Sequence, residues 1–393
     1  MRRALLPLAL VLAACASVTT GAPPASPGAT ASGPAAGLAS TRPSPTASPS
    51  PTPQPKVPTL QDVAVQSGLS LPWDLAFAPD GRMFVTERVG NLLIFESGAT
   101  NARRLANIPV AGVRSQGESG LMGIALDPDF ARNGLLYLCA SRVDQGQWLN
   151  QVLRYRADGN AAAFDGFVIR EGMRAQTIHD GCRLAFGPDR KLWVTMGESG
   201  LARLAQDPGS LNGKVLRVNT DGSVPDDNPT LPGARERTVA YSMGHRNPQG
   251  LAFHPTTHVA YEVEHGDDVH DEINILRPGA NYGWPQVEGP NGAARGFIDP
   301  VWSSGPVTLA TSGAAFVVGA QWGLWAGSLF VAQLKEMDLR RFTVEGDQVR
   351  QAEVLLDRRY GRLRSPVLGP DGNLYVTTSN GAGDRIVRIS ASQ

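Results

Sequence analysis

The feature that most constrains the fold of this chain is a short pattern that recurs six times. In each copy a few apolar residues precede a turn of Pro, Asp or Gly, and a second β-rich run follows, as in LAFAPDGRMFVTE at 75–87. Such a pattern predicts a strand, a tight turn and a second strand. The other copies lie at 124–140, 184–198, 251–264, 314–334 and 367–379.

The spacing of the copies, roughly 50 to 70 residues, suits one four-stranded propeller blade with long loops. Six copies therefore predict an all-β fold, a six-bladed β-propeller of four-stranded antiparallel blades over residues 59–393. Helical periodicity is nearly absent from this part of the chain. An array of β-sandwiches is the alternative, but it would need linkers between the repeats, and the sequence has none.

The N-terminus reads as an export signal. Arg2 and Arg3 precede an apolar run at 4–14 that is too short to span a bilayer, and small residues lead to Cys15. Residues 1–15 are thus predicted to be a lipoprotein-type signal peptide, with Cys15 as the lipidated residue. An ordinary secretory signal is the alternative. Both interpretations predict a periplasmic or cell-surface protein, with membrane contact only through the anchor.

Residues 16–58 are rich in Pro, Ser, Thr and Ala, and they cannot bury enough apolar surface to offset their ordering entropy. A disordered linker is predicted there. In the whole chain 36 Lys and Arg balance 36 Asp and Glu, so no nucleic-acid partner is expected. Besides Cys15 the chain has Cys139 and Cys182, and the sequence leaves their pairing open.

Cations lie next to the repeats, where a propeller carries its binding loops. Arg246 precedes the fourth copy, Lys335 follows the fifth, and Arg362 and Arg364 precede the sixth. Cations that separate blades bring to one channel mouth would repel one another without an anion between them. The pattern therefore predicts a ligand rich in carboxylate or phosphate groups.

The stretch at 241–285 combines such a cation with oxygen-rich turns. Arg246 stands beside Asn247 in a turn that contains Gly and Pro, which suits a planar carboxylate. The turns at 266–272 and 281–283 offer carboxylate and carbonyl oxygens, the ligands that calcium selects. These features predict an anion site next to a calcium site. A solvated surface loop is the alternative interpretation.

Six motifs in order resemble the soluble quinoprotein sugar dehydrogenases, the aldose and glucose dehydrogenases that use pyrroloquinoline quinone (PQQ) on a six-bladed propeller. The resemblance covers nearly the whole predicted propeller, from about 71 to 389. The motifs are GLMGIALDPDF, HDGCRLAFGPD, NGKVLRVNTDGSVPDDNP, GHRNPQGLAF, DEINILRPGANYGWP and the late Lys and Arg-x-Arg.

The resemblance implies a catalytic pair. His179 matches the general base of the family, which takes the proton of the anomeric hydroxyl, a task within the pKa range of histidine. Glu198 matches the acid that orients this base. Without the resemblance, a lone loop histidine is more often structural. His254 and His258 have a spacing that zinc could use, but a β-turn is predicted between them, which disfavours zinc.

The resemblance also implies a PQQ site and calcium. Glu118 stands where these enzymes carry a glutamine against the cofactor, and an anion there needs a nearby cation or proton. The residues that match contacts to PQQ carboxylates are Arg246, Asn247, Lys335, Arg362 and Arg364. Gly266 and Asp267 match a loop whose carbonyls hold the catalytic calcium, and Glu272 and the Tyr282 carbonyl match a structural calcium site.

The implied activity is oxidation of the anomeric carbon of aldose sugars to lactones, with hydride transfer to PQQ. Electrons would pass to an external acceptor, a quinone, a cytochrome or a dye, and the protein would be a monomer or a homodimer. The alternatives are a calcium-dependent propeller hydrolase or lactonase and a non-catalytic exported binding propeller. The four cations favour a dehydrogenase over a hydrolase, and the pair of His179 and Glu198 favours it over a binding protein.

Overall fold

A computed structural model describes residues 54–97 and 101–393. The predictions for the signal at 1–15 and for nearly all of the linker at 16–58 lie outside the described residues. Within the described part, no helix has the length and apolar character that crossing a bilayer requires. The strands form six four-stranded antiparallel sheets, so the prediction of an all-β, six-bladed propeller is confirmed.

The first strand, β1 (Thr59–Ser70), stands apart from the five blades that follow it, each of which uses four consecutive strands ordered from the centre outward. Blade 1 holds β2 (Pro72–Phe77), β3 (Met83–Glu87), β4 (Asn91–Phe95) and β5 (Arg104–Pro109). Blade 2 holds β6 (Leu121–Leu126), β7 (Leu135–Asp144), β8 (Gln147–Asp158) and β9 (Ala161–Ile169). Blade 3 holds β10 (Leu184–Phe186), β11 (Leu192–Met196), β12 (Lys214–Val218) and β13 (Ala240–Met243).

Blade 4 holds β14 (Asn247–Phe253), β15 (Ala260–His265), β16 (Glu272–Ile275) and β17 (Trp302–Ser303). Blade 5 holds β18 (Thr311–Phe316), β19 (Leu329–Gln333), β20 (Leu339–Glu345) and β21 (Gln348–Leu355). The loops carry one helical turn, α1 (Phe130–Asn133), and 3-10 segments at Ala202–Gln206, Ala293–Arg295 and Ala320–Trp325.

Blade 6 is closed by both ends of the described chain. It holds β22 (Leu363–Leu368), β23 (Leu374–Thr378), β24 (Ala382–Ser392) and, as its outermost strand, β1. In the antiparallel pairing of β1 with β24, Thr59 lies opposite Ser392. The sixth sequence repeat therefore needs a strand from the start of the domain to complete its sheet.

Each sequence repeat forms the two innermost strands of a blade. In the first repeat the N–H of Ala78 donates to the Arg82 carbonyl at 2.8 Å, and the Asp80 carboxylate accepts from the Arg82 N–H at 3.0 Å. This side-chain bond closes the turn by the usual mechanism of aspartate in turns. The same bond recurs between Asp189 and Lys191 in the third repeat and between Asp371 and Asn373 in the sixth.

The hydrophobic core is divided into six clusters, one between each pair of neighbouring blades. Blades 1 and 2 meet around Phe84 and Leu138, and blades 2 and 3 meet around Tyr137 and Val194. The tryptophan at 322 is fully buried between blades 5 and 6. Because each cluster needs residues from two blades, the ring is stabilised as one unit.

The central channel has two chemically distinct ends. First and second strands are antiparallel, so each blade brings the start of its first strand and the end of its second strand to the same end of the channel. We call this end the upper mouth, and it carries the segments that precede β6, β10, β14 and β22. The lower mouth is the opposite end of the channel. It is formed by the last residues of inner strands, among them 75–77, 184–186, 251–253 and 314–316.

Candidate active site at the upper mouth

Topology brings the predicted catalytic and cofactor residues to the upper mouth. The segments directly before inner strands, or their first residues, carry Glu118, His179, Arg246, Asn247, Arg362 and Arg364. The segments directly after second strands carry Glu198, Gly266, Asp267 and Lys335. These residues are far apart in sequence, yet all belong to loops at one end of the channel.

His179 and Glu198 form a direct contact. The Nδ1 atom of His179 lies 2.5 Å from a carboxylate oxygen of Glu198, whose side chain is 3% exposed. The Glu198 N–H donates to the Arg246 carbonyl at 2.9 Å, which fixes the acid on its turn. A Cβ at Gly197 would lie 2.1 Å from the His179 carbonyl, so only glycine allows this close approach.

The turn at 179–182 holds His179 in an unusual backbone conformation. His179, Gly181 and Cys182 have φ values of 58°, 60° and 68°, which are in the left-handed region. A non-glycine residue in this region persists only where its surroundings impose it. A disulfide joins Cys182 to Cys139 on β7, and the Gly181 N–H donates to the Asn247 side chain at 3.3 Å. Both contacts fix the turn that presents His179.

Glu118 stabilises the same turn through hydrogen bonds. One of its carboxylate oxygens accepts hydrogen bonds from the His179 N–H at 3.0 Å, from the Asn247 amide at 3.1 Å and from Gln249 at 3.4 Å. Burial alone would raise the pKa of Glu118, but His265, His179 and the bonded His179 N–H favour the anion, so the pKa is lowered. Glu118 is therefore an anion, and its role here is to hold the turn and the start of β14.

Cations surround Glu118 on the side of blades 1 and 6. Arg364 is buried, and its guanidinium donates to Gln249 at 2.9 Å. Burial first, and then repulsion by Arg88, lowers the pKa of Arg364 to about 9, while Glu118 opposes this shift. Burial also lowers the pKa of Arg88, and Arg362 adds to that effect. Burial is the main cause of both shifts, and repulsion among the three arginines adds to it.

Arg246 and Asn247 begin β14 between this cluster and the 266–272 loop. The Arg246 guanidinium pairs with Asp267 at 2.6 Å and lies 5.2 Å from the centre of the Trp284 ring. Its buried Nε atom makes no hydrogen bond within the described residues. One guanidinium N–H thus remains available for an additional acceptor.

Lys335 lies on the loop after β19 and is exposed. Its backbone N–H donates to the Leu309 carbonyl at 3.0 Å, which packs its loop against the segment that enters blade 5. No side-chain contact joins Lys335 to the other cations within the described residues. Lys335 therefore shares the upper mouth with Arg364 but stands on its rim.

Three of the four predicted calcium residues line one small cavity. Gly266, Glu272 and Tyr282 face it together with Glu264 and Glu288, whereas Asp267 lies at its edge. Burial, and then the charge of Glu264, raises the pKa of Glu272 to about 8. A divalent ion would relieve this crowding of carboxylates. The sequence predicted two calcium sites, and the structure brings residues from both of them to one cavity.

A group of buried ligand atoms next to this cavity was not predicted from the sequence. One atom each from His245, Glu262 and Glu264 lies within 4.8 Å of the others. The Asn274 amide donates to Glu262, Glu264 and Glu272 at 3.1 to 3.2 Å. Burial and the charge of Glu264 raise the pKa of Glu262 well above its usual value. The Asn274 amide donors, and protons held by carboxyl groups whose pKa is raised, offset part of this negative charge.

Other contributors to the site also escaped sequence reasoning. Arg88 directly follows β3, on a segment equivalent to those that carry Glu198 and Lys335 after the second strands of other blades, and this equivalence was a usable signal. Asp180 is buried, accepts from the Asn150 amide at 2.9 Å, and has its pKa raised to about 8 by burial. Nothing in the sequence indicated that Asp180 would be buried.

Comparison with known proteins gives consistent results. A family model described as Glucose / Sorbosone dehydrogenase matches residues 69–388. The chain is 34% identical over 351 residues to aldose sugar dehydrogenase YliI of Escherichia coli (strain K12), covering 84% of this chain and 93% of that protein. It is 30% identical over 306 residues to quinoprotein glucose dehydrogenase B of Acinetobacter calcoaceticus, covering 70% of this chain and 63% of that protein.

A solved structure supports the same assignment. The PQQ-bound form of aldose sugar dehydrogenase from Streptomyces coelicolor superposes with a TM-score of 0.72 at 33% identity. The match covers 86% of this chain and 100% of that chain. The similarity thus extends over the length of the propeller.

Proposed function

Because the chain belongs to the glucose/sorbosone dehydrogenase family, we propose that it is a PQQ- and calcium-dependent dehydrogenase that oxidises the anomeric carbon of aldose sugars to lactones. Its relatives include proteins named aldose sugar dehydrogenase and quinoprotein glucose dehydrogenase, and one similar structure carries PQQ. The proposal extends these properties to the residues of this chain.

The observation that carries the proposal is the surplus of positive charge beside the His179–Glu198 pair. Arg88, Arg362 and Arg364 influence one another electrostatically, and two carboxylates, Glu118 and Asp384, act on this group of three cations. PQQ is a planar tricarboxylate, which would neutralise such a surplus through charge-assisted hydrogen bonds. The free Nε of Arg246 provides a further donor. The residues present therefore fit this cofactor.

The chain itself supplies the base. With the Nδ1–H of His179 donating to Glu198, Nε2 keeps a lone pair that can accept the proton of the anomeric hydroxyl. Glu198 then stabilises the imidazolium that results. When bound, PQQ supplies the two-electron acceptor for the hydride, and calcium draws electron density from the quinone. Residues Gly266, Asp267, Glu272 and Tyr282 would hold calcium.

Reconstitution tests this function directly. The protein purified without cofactor is mixed with PQQ and Ca²⁺, and dye reduction is followed with glucose and other aldoses. We expect turnover that needs both additions and that is removed by a chelator. His179→Ala should retain PQQ binding and lose about 10²- to 10⁴-fold in kcat. Dye reduction by this variant at the parental rate would show that His179 is not the base.

The sequence signals also lead us to propose where the enzyme acts. We propose export to the periplasm or the cell surface, anchoring through lipidated Cys15, and transfer of electrons to a quinone or cytochrome there. Cys15→Ser should shift the protein from the membrane fraction to the soluble fraction without changing turnover in detergent. Retention of the variant in the membrane fraction would contradict the anchor.

A further inference from the structure

Blade 2 differs from the other blades at the upper mouth. Its second strand, β7, is 10 residues long, whereas β3, β11 and β19 have five each. Pairing of β7 with the inner strand β6 ends at Ala140, but pairing with β8 continues to Asp144 opposite Gln147. The hairpin 141–150 therefore extends about 13 Å beyond the inner strand. We refer to it as the projecting hairpin.

The projecting hairpin is packed against the segment that leads to His179. The Ala175 N–H donates to the Trp148 carbonyl at 3.1 Å, and Leu149 forms a bridge with Arg174. The Asn150 amide donates to Asp180 at 2.9 Å. These three contacts link the position of the projecting hairpin to the segment 174–180 and so to the turn that carries the proposed base.

A groove of about 490 Å³ lies along the projecting hairpin. Its lining consists of Gln147, Trp148, Leu149, Arg174, Ala175 and Gln176. The volume is within the range of small-ligand pockets. The amides, the indole and the guanidinium of this lining are the groups that bind hydroxyl-rich ligands through hydrogen bonds and ring contacts.

Next to the groove, a buried donor lacks a hydrogen-bond partner and two cations lack an anionic partner among the described residues. The indole N–H of Trp148 has no acceptor among the described residues, and the Arg114 guanidinium lies 4.1 Å from the ring centre. The neighbouring Arg170 pairs with Asp144 at 3.0 Å. Neither Arg114, whose side chain donates to Gln116, nor Arg174 forms an ion pair with a described carboxylate. Arg114, on the Trp148 ring, and Arg174, in the lining of the groove, thus lack an anionic partner among the described residues.

The groove leads towards the proposed catalytic centre. Gln176 is three residues before His179, a chain length that spans at most about 10 Å. The Gln176 N–H also donates to Asp180 at 3.0 Å, which keeps this end of the groove next to the 179–182 turn. The Gln176 end of the groove is therefore within one sugar ring or two of the proposed base.

We propose that this groove is a subsite for a second, carboxylate-bearing sugar ring, so that the preferred substrate is an acidic oligosaccharide with an aldose at its reducing end. The proposal rests on the proposed function and specifies its substrate class. A guanidinium can bind a uronate carboxylate through two parallel hydrogen bonds, and an indole packs against the apolar face of a pyranose. Oxidation still takes place at the reducing-end ring, and the second ring remains unchanged.

Kinetics with three sugars test the subsite. The reconstituted holoenzyme is compared on glucose, on a neutral glucosyl-glucose and on glucuronosyl-glucose. We expect kcat/KM to be highest for the acidic disaccharide. Arg174→Gln should lower kcat/KM for that sugar about tenfold or more, mainly through KM, and leave glucose unchanged. Trp148→Ala should impair both disaccharides. Arg132→Gln, an exposed arginine outside the upper mouth, is the matched control.

A binding measurement keeps this test separate from the proposed function. Calorimetry with the methyl glycoside of glucuronosyl-glucose, which has no free anomeric hydroxyl, reports the groove even in cofactor-free protein. Binding that Arg174→Gln weakens supports the subsite, also if glucose is not oxidised, an outcome that would reject only the dehydrogenase. Equal kcat/KM for both disaccharides, or unchanged binding by Arg174→Gln, would overturn the subsite while glucose oxidation stood.

Discussion

The two mouths of the central channel are formed by the same six inner strands but differ in chemistry. The lower mouth surrounds a cavity of about 670 Å³ lined by apolar side chains such as Phe77, Phe186 and Phe316. The upper mouth has buried polar atoms that find no hydrogen-bond partner in the described part of the chain, among them Arg88 Nε, Glu198 Oε2 and Arg246 Nε. Polar groups left unpaired reduce stability and are concentrated at functional sites.

A buried ion pair separates the two mouths. Arg183, directly before β10, pairs with Asp74 at 2.7 Å and donates to Ser365 at 2.8 Å and to the Gln249 carbonyl at 2.9 Å. These partners belong to blades 1, 6 and 4, and the Trp73 ring lies 4.2 Å from the guanidinium. The lower mouth and the Arg183–Asp74 pair thus stabilise the ring, whereas the upper mouth retains unsatisfied groups for ligands.

The largest effect on stability is expected at the buried Arg183–Asp74 pair. Arg183→Met should lower the free energy of unfolding by about 3–5 kcal/mol, because Asp74 is left buried without its counter-charge. Urea denaturation of the cofactor-free protein measures this. Adding Asp74→Asn should restore part of the loss, since the uncompensated charge is removed. If Arg183→Met were as stable as the parent, the Arg183–Asp74 pair would not stabilise the ring.

At the lower mouth, Phe316→Ala should cost about 3 kcal/mol of stability, because it removes a buried ring from the core of blades 4 and 5. PQQ affinity and the KM for glucose should stay unchanged. Thermal unfolding measures the loss of stability, and cofactor titration measures the PQQ affinity. A clear loss of PQQ affinity would show that the lower mouth takes part in ligand binding.

At the upper mouth, Arg364→Gln should have the opposite effect: PQQ affinity should fall and stability should not. PQQ affinity should fall by about 2 kcal/mol, the size of a charge-assisted hydrogen bond. The cofactor-free protein should be as stable as the parent or more stable, because a buried cation that other cations repel is removed. Cofactor titration and urea denaturation test the two effects. Lower stability of the cofactor-free variant would contradict the view that Arg364 serves ligand binding and does not stabilise the ring.

The smallest effect, taken per pH unit, concerns the pH dependence of stability. Burial raises the pKa of Asp180 to about 8, so the folded state holds this proton more tightly than the unfolded state. The associated stability is complete below about pH 4 and is lost as the pH rises through 8. Asp180→Asn should therefore flatten the decline of stability between pH 5 and 8, by about 1.4 kcal/mol per pH unit. Parallel pH profiles of variant and parent would mean that Asp180 does not titrate in this range.

The repeats made the fold predictable because each contains its own turn chemistry, such as Asp80 bonded to the Arg82 N–H. The closure of blade 6 by β1 could not be predicted, since β1 contains no copy of the pattern. For the site, motifs indicated Arg246 and His179, but burial depends on neighbouring blades. Hence Asp180 and the disulfide of Cys139 were accessible only from the structure.

The pairing of Thr59 with Ser392 has a consequence for biogenesis. The outermost strand of the last blade is synthesised first, so it must wait for its partner until almost the entire chain has been made. Contacts of such long sequence separation form late and slowly in folding. Loss of only the last few residues of β24 would therefore leave an incomplete final blade.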